Sequence, residues 1–472
     1  MNQSIYLLVP ILLPVLGALA VYMLPRRQQR RRIFNAMLAL QVVYVCLAFG
    51  INRSITTSDG VLALGLWPDT LGKLFALLFG VLFWATGWFG FDAMDRLGRT
   101  ALPCFLIILG MLTGLSYAGT LPTFCLFYVA ATLLTFMLLC PGPGKQLLRL
   151  IYTMLASLPV CCGCLTLPRY LTSLQFRSGG VLSGAASMLY AAPLLTTALL
   201  MLLGFCAAVF LPLSIPQQTN QPPAAQILLA AILPGGGVLG AMRTLYYLFG
   251  SRFLHGTGIQ TLLLAACLMV MLCASLCACL EKQLFLRLAW GTVVQSSCVL
   301  LGLFTLNNTA FLGALLQAIF HTLCSVCLFL CADAMREHTG VLHTDRMRGI
   351  GRQMPLELGC FATAGLALVG CPPMCWFSAK QYLYRGLLTR GDLWGSAGAA
   401  VLVLCMLLAV YYLLWPCVQG FFPGKDYEPD ARVRTGLSVI VPVACLLICL
   451  LGVGLLPGTL LRTLRTIAIT IL

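Results

Sequence analysis

Charged side chains are scarce in this sequence. Asp, Glu, Lys and Arg together make up 9% of its 472 residues, whereas they make up about 25% of a typical soluble domain. Hydrophobic residues account for 60% of the chain, so long stretches have no polar face to turn toward water. This composition excludes a soluble enzyme or binding domain and indicates a polytopic membrane protein.

The residue types that carry most catalytic and metal chemistry are also rare. The chain has 13 Asp and Glu and four His, and the histidines do not flank paired cysteines as metal ligands would. Its 23 cysteines lie mostly in apolar runs, where a thiol behaves as a small apolar side chain. No phosphate-binding loop and no dinucleotide-binding glycine motif occurs. We therefore predict no metal, no cofactor and no catalytic chemistry within this chain.

Long apolar runs are what the sequence has in abundance. A membrane-spanning helix needs roughly 20 apolar residues, and by that length the chain contains about fourteen spans, which predicts an all-α polytopic fold in one membrane domain, 1–472. The predicted spans lie near residues 5–24, 33–50, 70–90, 101–118, 120–140, 148–168, 187–214, 223–250, 259–280, 285–305, 308–334, 356–386, 395–418 and 435–457.

The net charge of +16 indicates membrane topology rather than nucleic-acid binding, because basic residues accumulate in cytoplasmic loops. The first span lacks the basic leader of a signal peptide and is followed by Arg26, Arg27, Arg30, Arg31 and Arg32. With the amino terminus outside, most basic residues fall in inner loops. We therefore predict a cell-membrane protein with both termini on the outer side.

Prolines interrupt the apolar runs near 212–216 and 372–373. Pro212 lies at the end of the seventh span and the pair Pro372 and Pro373 lies within the twelfth, while Pro234 is a further candidate interruption in the eighth. A proline removes a backbone donor and clashes with the preceding turn, and paired broken helices are typical of transporters with repeated halves. Lys380 follows the second break, and an intramembrane lysine there is a functional-site hypothesis.

Five stretches of the chain carry a family resemblance. They are Ala118–Leu121, Phe210–Leu213, Leu286–Trp290, Ala318–His321 and Gly370–Lys380. In this order they resemble the antiporter-like subunits shared by NADH:quinone oxidoreductase (complex I), energy-converting membrane hydrogenases and Mrp-type cation/proton antiporters. The resemblance implies a proton-translocating core over 101–390, followed by two C-terminal transmembrane helices in 391–472.

The same resemblance implies a proton path that is reduced in this chain. In the family the path includes a glutamate on the fifth helix, lysines on the seventh and eighth, a site on the eleventh and a charged residue on the broken twelfth. The positions that match the glutamate and the first two lysines hold Val129, Ala207 and Gly235. The path expected here therefore consists of Lys380, His321 and Ser325, and the serine hydroxyl serves only to orient water.

The function implied by the resemblance is that of a membrane subunit in a multisubunit proton- or cation-translocating complex. Its expected partners are the lipid bilayer and other membrane subunits, among them further antiporter-like ones, and it would be at most a subunit of an oxidoreductase. No nucleic acid is expected. Two alternatives stay open: a self-contained secondary transporter of another substrate, and a non-transporting scaffold subunit.

The other charged residues near the spans have structural interpretations. Lys73 lies one turn after Asp69 on the same helix face, which predicts an ion pair near the outer surface. Arg243 ends the eighth span, where it is expected to meet lipid headgroups. Asp333 and Glu357 lie at the inner ends of the eleventh and twelfth spans and are predicted to be interfacial.

Overall fold

The protein is α-helical in almost all of the chain that the computed structural model describes, which is 5–50, 54–56, 63–139, 146–171, 173–210, 223–340, 343–372, 375–423, 435–455 and 457–471. Besides loops, the described ranges contain two short antiparallel strands, β1 (Ile55–Thr56) and β2 (Gly65–Leu66), in which Ile55 pairs with Leu66. The backbone donors and acceptors of a helix are satisfied within the segment, which is what an apolar bilayer requires.

The α-helices are α1 (Ile5–Met23), α2 (Arg27–Leu47), α3 (Thr70–Leu97), α4 (Ala101–Tyr117), α5 (Leu121–Leu139), α6 (Gln146–Thr166), α7 (Gly184–Leu189), α8 (Ala191–Phe210), α9 (Pro223–Ile227), α10 (Leu233–Met242), α11 (Ser251–Leu254), α12 (Gly258–Leu280), α13 (Leu284–Phe304), α14 (Asn308–Thr339), α15 (Ile350–Gln353), α16 (Pro355–Val369), α17 (Cys375–Leu388), α18 (Leu393–Ala409), α19 (Trp415–Phe421), α20 (Leu437–Leu455) and α21 (Pro457–Ile471). Three π-helical segments, Leu228–Ile232, Arg243–Leu248 and Val410–Leu414, connect or extend these helices.

These helices account for the predicted spans. Within the described ranges, nine helices are long and apolar enough to cross a membrane, and four apolar helices of 10–17 residues accompany them. The 21-residue α6 covers the remaining predicted span. The prediction of an all-α polytopic membrane fold with about fourteen spans is confirmed.

The chain divides into two compact units. One unit contains Met1–Ser214, Asn220–His255 and Ile469–Leu472, and the other contains Ile215–Thr219 and Gly256–Ala468. In the second unit the 32-residue α14 is the central helix. The stretch of it that is long enough to cross a membrane is fully buried, and it packs on α13, α16, α17 and α20. The division of the sequence into a single domain with a core over 101–390 stays a prediction.

The twelfth span is broken where the sequence predicted. Helix α16 ends at Val369, and Gly370 follows in the left-handed conformation (φ 93°), with its backbone N–H bonded to Leu366 and Ala367. Such a C-cap favours glycine because a Cβ is disfavoured at positive φ. Pro372 lies in the turn, and α17 begins at Cys375. Pro373 lies outside the described residues.

The proline-rich end of the seventh span cannot be compared with the prediction in the same way. Pro212 and the predicted break near 212–216 lie outside the described residues, between the end of α8 at Phe210 and the start of α9 at Pro223.

Pro234 does not break the eighth span, contrary to the prediction. The helix widens into the π-helical segment Leu228–Ile232 immediately before it, and the backbone N–H of Leu233 bonds to Leu228. Pro234 then occupies the first turn of α10. In a π-helix each hydrogen bond joins residues five apart, which lets the helix continue past a residue that has no N–H. Such local adjustments accommodate proline in membrane helices.

The final helix, α21, was not predicted. Its 15 residues fall short of the roughly 20 apolar residues that a span requires. The helix is amphipathic: Leu464, Ile467 and Ala468 are buried, whereas Arg462 and Arg465 are exposed. A strict search for apolar runs misses such a helix because its buried residues recur only once per turn.

Two helices of the second unit begin with a side-chain cap. Asn307 accepts a hydrogen bond from the backbone N–H of Ala310 at the start of α14, and Asp392 accepts one from Gly395 at the start of α18. These oxygens satisfy backbone donors that have no partner within the helix. The hydrogen bonds that the Arg390 guanidinium donates also lower the pKa of Asp392.

Helix α17 packs against α14 through small residues. A Cβ atom at Gly313 would lie 2.6 Å from the backbone nitrogen of Leu383 and 3.0 Å from the carbonyl oxygen of Ala379. The close approach brings α17, and with it Lys380, firmly against α14. Small residues permit this backbone contact in membrane helices, where dispersion between closely fitted surfaces drives association.

We predict that Gly313→Ala destabilises the protein by about 1–3 kcal/mol, because the added methyl group meets backbone atoms that cannot rotate away. The measurement is the free energy of unfolding in detergent or nanodiscs. Gly359→Ala is the matched control, since a Cβ at this glycine of α16 has nothing within 4 Å. The control is expected to be neutral or stabilising by up to about 1 kcal/mol, from helix propensity. Equal effects of the two substitutions would contradict the packing argument.

Candidate ion-path site

Lys380 lies in the second unit, one and a half turns into α17, and only 4% of it is exposed. Its Nζ donates a hydrogen bond to Oε1 of Gln295 on α13 at 3.1 Å. The aliphatic part of the side chain passes over Gly370, where a Cβ would lie 3.5 Å from Cδ of Lys380. The glycine at the helix break therefore supplies both the turn and the space that place this lysine inside the protein.

A second glutamine completes the polar contact. Nε2 of Gln317 on α14 donates to the same Oε1 of Gln295 at 2.7 Å. Gln295 and Gln317 are 1% and 3% exposed, respectively. The oxygen of Gln295 thus accepts from both neighbours, and both of its lone pairs are engaged.

His321 and Ser325 follow Gln317 at successive four-residue steps of α14, so they lie on adjoining parts of one helix face. Each is 2% exposed, and Lys380 interacts electrostatically with the imidazole of His321. Within the described part of the chain, Nδ1 of His321 and Oγ of Ser325 have no hydrogen-bond partner. The predicted site residues are thus brought to one region, although Ser325 and His321 do not bond each other.

Other buried polar atoms near this region resemble Nδ1 of His321 and Oγ of Ser325 in having no such partner. Oγ of Ser296 and Nε1 of Trp376 also lack a hydrogen-bond partner among the described protein atoms. Ser296 follows Gln295, and Trp376 lies one turn before Lys380. Buried polar groups that protein atoms leave unpaired are normally satisfied by water, so the lining chemistry is that of a hydrated interior.

The charge of Lys380 has no carboxylate partner. Among the described residues, no salt bridge includes this lysine, and the groups that interact with it electrostatically are the thiols of Cys298, Cys324 and Cys405 and the imidazole of His321. The described residues also hold no group of three or more His, Cys, Asp or Glu side chains that would suit a metal ion. Amine and imidazole groups can hold a proton, hydroxyl groups can orient water that relays it, and the two amides can position these groups by hydrogen bonds.

The three positions that would hold the upstream charges lie in the first unit and are apolar. Val129 on α5 and Ala207 on α8 are half-buried, and Gly235 on α10 is buried. A Cβ at Gly235 would lie 3.1 Å from Cε1 of Phe79 on α3. The aromatic ring therefore occupies the space into which a side chain at 235 would project.

Comparison with known proteins identifies the architecture. A sequence profile described as "NADH:quinone oxidoreductase/Mrp antiporter, TM" matches residues 118–406, which is more than half of the chain. The chain belongs to this antiporter family.

Individual relatives agree with this assignment. The chain is 26% identical to NADH-quinone oxidoreductase subunit N of Desulforudis audaxviator (strain MP104C) over 374 residues, covering 74% of this chain and 73% of the relative. It is 32% identical to NAD(P)H-quinone oxidoreductase chain 4 1 of Synechococcus sp. (strain JA-3-3Ab) over 188 residues, which is 38% of this chain and 35% of that one.

Solved structures share the fold at low sequence identity. A chain from the Mrp complex of Dietzia sp. DQ12-45-1b aligns with a TM-score of 0.87 and 18% identity, covering 100% of this chain and 98% of the other. A chain of respiratory complex I from Thermus thermophilus aligns with a TM-score of 0.70 and 20% identity, with 98% of each chain covered. The whole length of the chain therefore follows the architecture of the antiporter family.

The first unit of this antiporter-family chain contains a buried ion pair that the sequence did not predict. Arg243 is 0% exposed, and its guanidinium chelates Asp69, with Nη1 to Oδ2 at 2.8 Å and Nη2 to Oδ1 at 2.5 Å. Tyr247 donates its hydroxyl to the same carboxylate at 2.8 Å, and its ring lies 4.5 Å from the guanidinium carbon. A cavity of about 350 Å³ borders Asp69 and Tyr247.

This geometry corrects two predictions. Arg243 does not reach the headgroups, because the π-helical segment Arg243–Leu248 turns it inward toward the N-terminus of α3, where Asp69 caps the helix through Gly72. The bidentate partner of Asp69 is Arg243 rather than Lys73, whose Nζ donates to the carbonyl of Phe49 at 3.1 Å. Spacing within one helix identified the local neighbour and missed the partner that is 174 residues away.

The carboxylates of Asp333 and Glu357 are buried and internally paired. Asp333 is 2% exposed and forms an ion pair with Arg336, which also lies over the ring of Phe285 at 4.9 Å. Glu357 is 4% exposed and accepts a hydrogen bond from Thr435. Both belong to the second unit, and neither forms a salt bridge with Lys380 within the described part of the chain.

Sequence reasoning missed the glutamines that hold Lys380. A signal was present, since Gln295 and Gln317 are uncharged polar residues within two predicted spans, and polar side chains inside membrane helices form interhelical hydrogen bonds. The sequence could not show that their side chains meet each other and the lysine, because that depends on how three separate helices rotate and pack.

We predict that Arg243→Met lowers the free energy of unfolding by about 3–5 kcal/mol, because it leaves the carboxylate of Asp69 buried without its counter-charge. The double variant Asp69→Asn with Arg243→Met should recover part of that loss. Lys282→Met is the control: its pair with Asp345 spans 3.9 Å at 74% and 69% side-chain exposure, and exposed pairs contribute little.

Denaturation of the three variants and the unsubstituted protein in the same nanodiscs gives the comparison. An Arg243→Met variant as stable as the Lys282→Met variant would show that the buried pair does not hold the first unit together.

Proposed function

We propose that this chain is an antiporter-like membrane subunit of a multisubunit proton- or cation-translocating complex, and that it carries a reduced ion path made of Lys380, His321 and Ser325. The observation that carries the proposal is the buried Lys380, which lies beside the break between α16 and α17 and has no carboxylate partner among the described residues. An ionisable group at such a position is costly to bury, and a structural role alone would be served as well by an apolar side chain.

The polar surroundings of Lys380 support a path rather than an isolated charge. His321 is an imidazole within electrostatic range of the lysine, and its Nδ1 and the hydroxyl of Ser325 have no protein partner among the described atoms. A neutral imidazole has one nitrogen that donates and one that accepts a hydrogen bond, and a serine hydroxyl both donates and accepts. Water bridging these groups would connect them into one proton-conducting chain.

The path is proposed to be reduced because the three positions that match the family's other charged residues hold no titratable side chain. Valine, alanine and glycine stand at 129, 207 and 235, and none of them can hold a proton. The ring of Phe79 against Gly235 adds a steric obstacle. This contact specifically favours the second candidate function, a non-transporting scaffold subunit, in which Lys380 would be a remnant.

We propose partner subunits from the complexes in which the structural neighbours occur. The structural neighbours come from an Mrp complex, from a membrane-bound sulfane sulfur reductase described as an archaeal respiratory membrane complex, and from respiratory complex I. We infer that this chain also assembles with other membrane subunits, including further antiporter-like ones. The arginines that follow α1, among them Arg26 and Arg32, support a cell-membrane topology with both termini outside.

We predict that Lys380→Met abolishes most of the proton or cation uptake that depends on this subunit, since it removes the charged group that the path is built around. Uptake is measured in inside-out vesicles or proteoliposomes that contain the assembled complex, with pH- and Na⁺-sensitive dyes. Lys73→Met is the matched control, because Lys73 is also a buried lysine, at 3% exposure, but it lies in the first unit and outside the proposed path.

Assembly is checked by co-purification of the other subunits. Normal uptake by a fully assembled Lys380→Met complex would refute the ion-path role and favour the scaffold. Equal loss in both variants would point to damaged assembly instead of a lost path.

We predict that restoring the missing charges raises uptake only when space is made for them. The triple variant Val129→Glu, Ala207→Lys and Gly235→Lys places a lysine against Phe79, whereas adding Phe79→Ala opens room for its side chain. Uptake in the same vesicle assay should increase for the quadruple variant and stay near the unsubstituted level for the triple one. If the quadruple variant assembles but its uptake does not increase, residues other than Phe79 also block the part of the path at positions 129, 207 and 235.

A further inference from the structure

The hydrogen bond between Lys380 and Gln295 depends on which end of a carboxamide faces the lysine. The amide group of glutamine has an oxygen that only accepts and a nitrogen that only donates. A lysine ammonium has three donors and no acceptor. If the nitrogen of Gln295 faced Lys380, two donors would oppose each other in a buried setting, where an unpaired polar group is most costly.

Gln317 determines which end of Gln295 faces the lysine. Its Nε2 donates to Oε1 of Gln295 at 2.7 Å, and Lys380 donates to that same oxygen at 3.1 Å. As long as Gln317 donates, the oxygen of Gln295 has to stay where both neighbours reach it. All three side chains are at most 4% exposed, so exchange with bulk water does not relax this constraint.

We propose that Gln295 and Gln317 form an amide pair that positions Lys380 in the ion path, with Gln317 acting on the lysine only through Gln295. The pair takes the place of the carboxylate that usually accompanies a buried lysine, and it does so without adding a second charge to the site. The consequence for transport rests on the proposed ion-path function of Lys380; the positioning itself does not.

The pair also couples its own orientation to the charge on Lys380. A neutral lysine amine has a lone pair that accepts a hydrogen bond, so it is compatible with the nitrogen of Gln295. For Gln295 to turn, Gln317 has to turn as well and present its oxygen to the Gln295 nitrogen. The other titratable groups near the amide pair and Lys380 among the described residues are His321 and Cys324 on α14, Cys298 on α13, Cys405 on α18 and Tyr412, whose hydroxyl interacts with Gln295.

A double-mutant cycle tests this inference. Gln317→Met, Lys380→Met and the double variant are compared with the unsubstituted protein by thermal unfolding of the full chain in nanodiscs. Methionine retains the length of both side chains and removes the polar group. Because coupling between residues that share a partner is non-additive, we expect the fall in Tm caused by Gln317→Met to change by roughly half or more when residue 380 is already Met.

Gln260→Met is the matched control for the cycle. Gln260 is a buried glutamine of the same unit, 2% exposed, and its Nε2 donates to the carbonyl of Phe304 at 2.9 Å. The fall in Tm caused by Gln260→Met should be the same with Lys or Met at position 380. Equal costs of Gln317→Met in the two backgrounds would overturn the inference.

The pH dependence of ion uptake supplies a second readout, which a purely structural glutamine would not move. In the assembled complex, Gln317→Met should shift the pH profile of uptake, whereas Gln260→Met should leave it in place. Where Lys380→Met abolishes uptake, an unshifted profile for Gln317→Met would also overturn the inference. If Lys380→Met leaves uptake unchanged while the cycle shows coupling, the proposed ion path fails and the amide pair stands. If Lys380→Met abolishes uptake without coupling to Gln317, the ion path stands and the amide pair fails.

Discussion

Every polar group placed inside a bilayer needs a partner, either in the protein or in water that the protein encloses, because hydrocarbon offers none. This constraint accounts for the elements that distinguish this chain from a plain bundle of apolar helices. Pro234 is accepted only because the preceding backbone changes to π-helical hydrogen bonding. The break after α16 is closed by Gly370, whose N–H bonds back to the helix, and the room that the glycine leaves is occupied by the stem of Lys380.

The two units satisfy this constraint for their buried cations in different ways. Arg243 in the first unit is neutralised by a bidentate carboxylate and enclosed by an aromatic ring, an arrangement suited to a permanent charge. Lys380 in the second unit meets a neutral amide pair, and the polar atoms near it lack protein partners among the described residues. Guanidinium stays protonated under all ordinary conditions, whereas a lysine amine exchanges its proton when its surroundings require it. The first arrangement fits a structural role, and the second fits the proposed path.

Much of the architecture was predictable from local signals. Span number, the break after α16 and the antiporter family all follow from apolar run length, proline position and short ordered motifs, each of which is contained in one stretch of chain. The predictions that failed concern partners. Arg243 was assigned to lipid headgroups and Asp69 to its neighbour Lys73, since helix periodicity relates residues within one helix only. Helix α21 was not predicted because it is only 15 residues long and contains two arginines. Its buried residues recur about once per turn and therefore do not form an apolar run.

The sequence by itself determined that this protein lies in a membrane, that its twelfth span breaks before Lys380 and that the charges expected at 129, 207 and 235 are missing, because composition and residue identity need no knowledge of contacts. Only the tertiary structure decided that Phe79 fills the space beside Gly235, that Asp69 pairs with Arg243 and that two glutamines hold Lys380. These facts depend on the rotation and depth of helices that are distant in sequence, and side-chain packing between helices sets both.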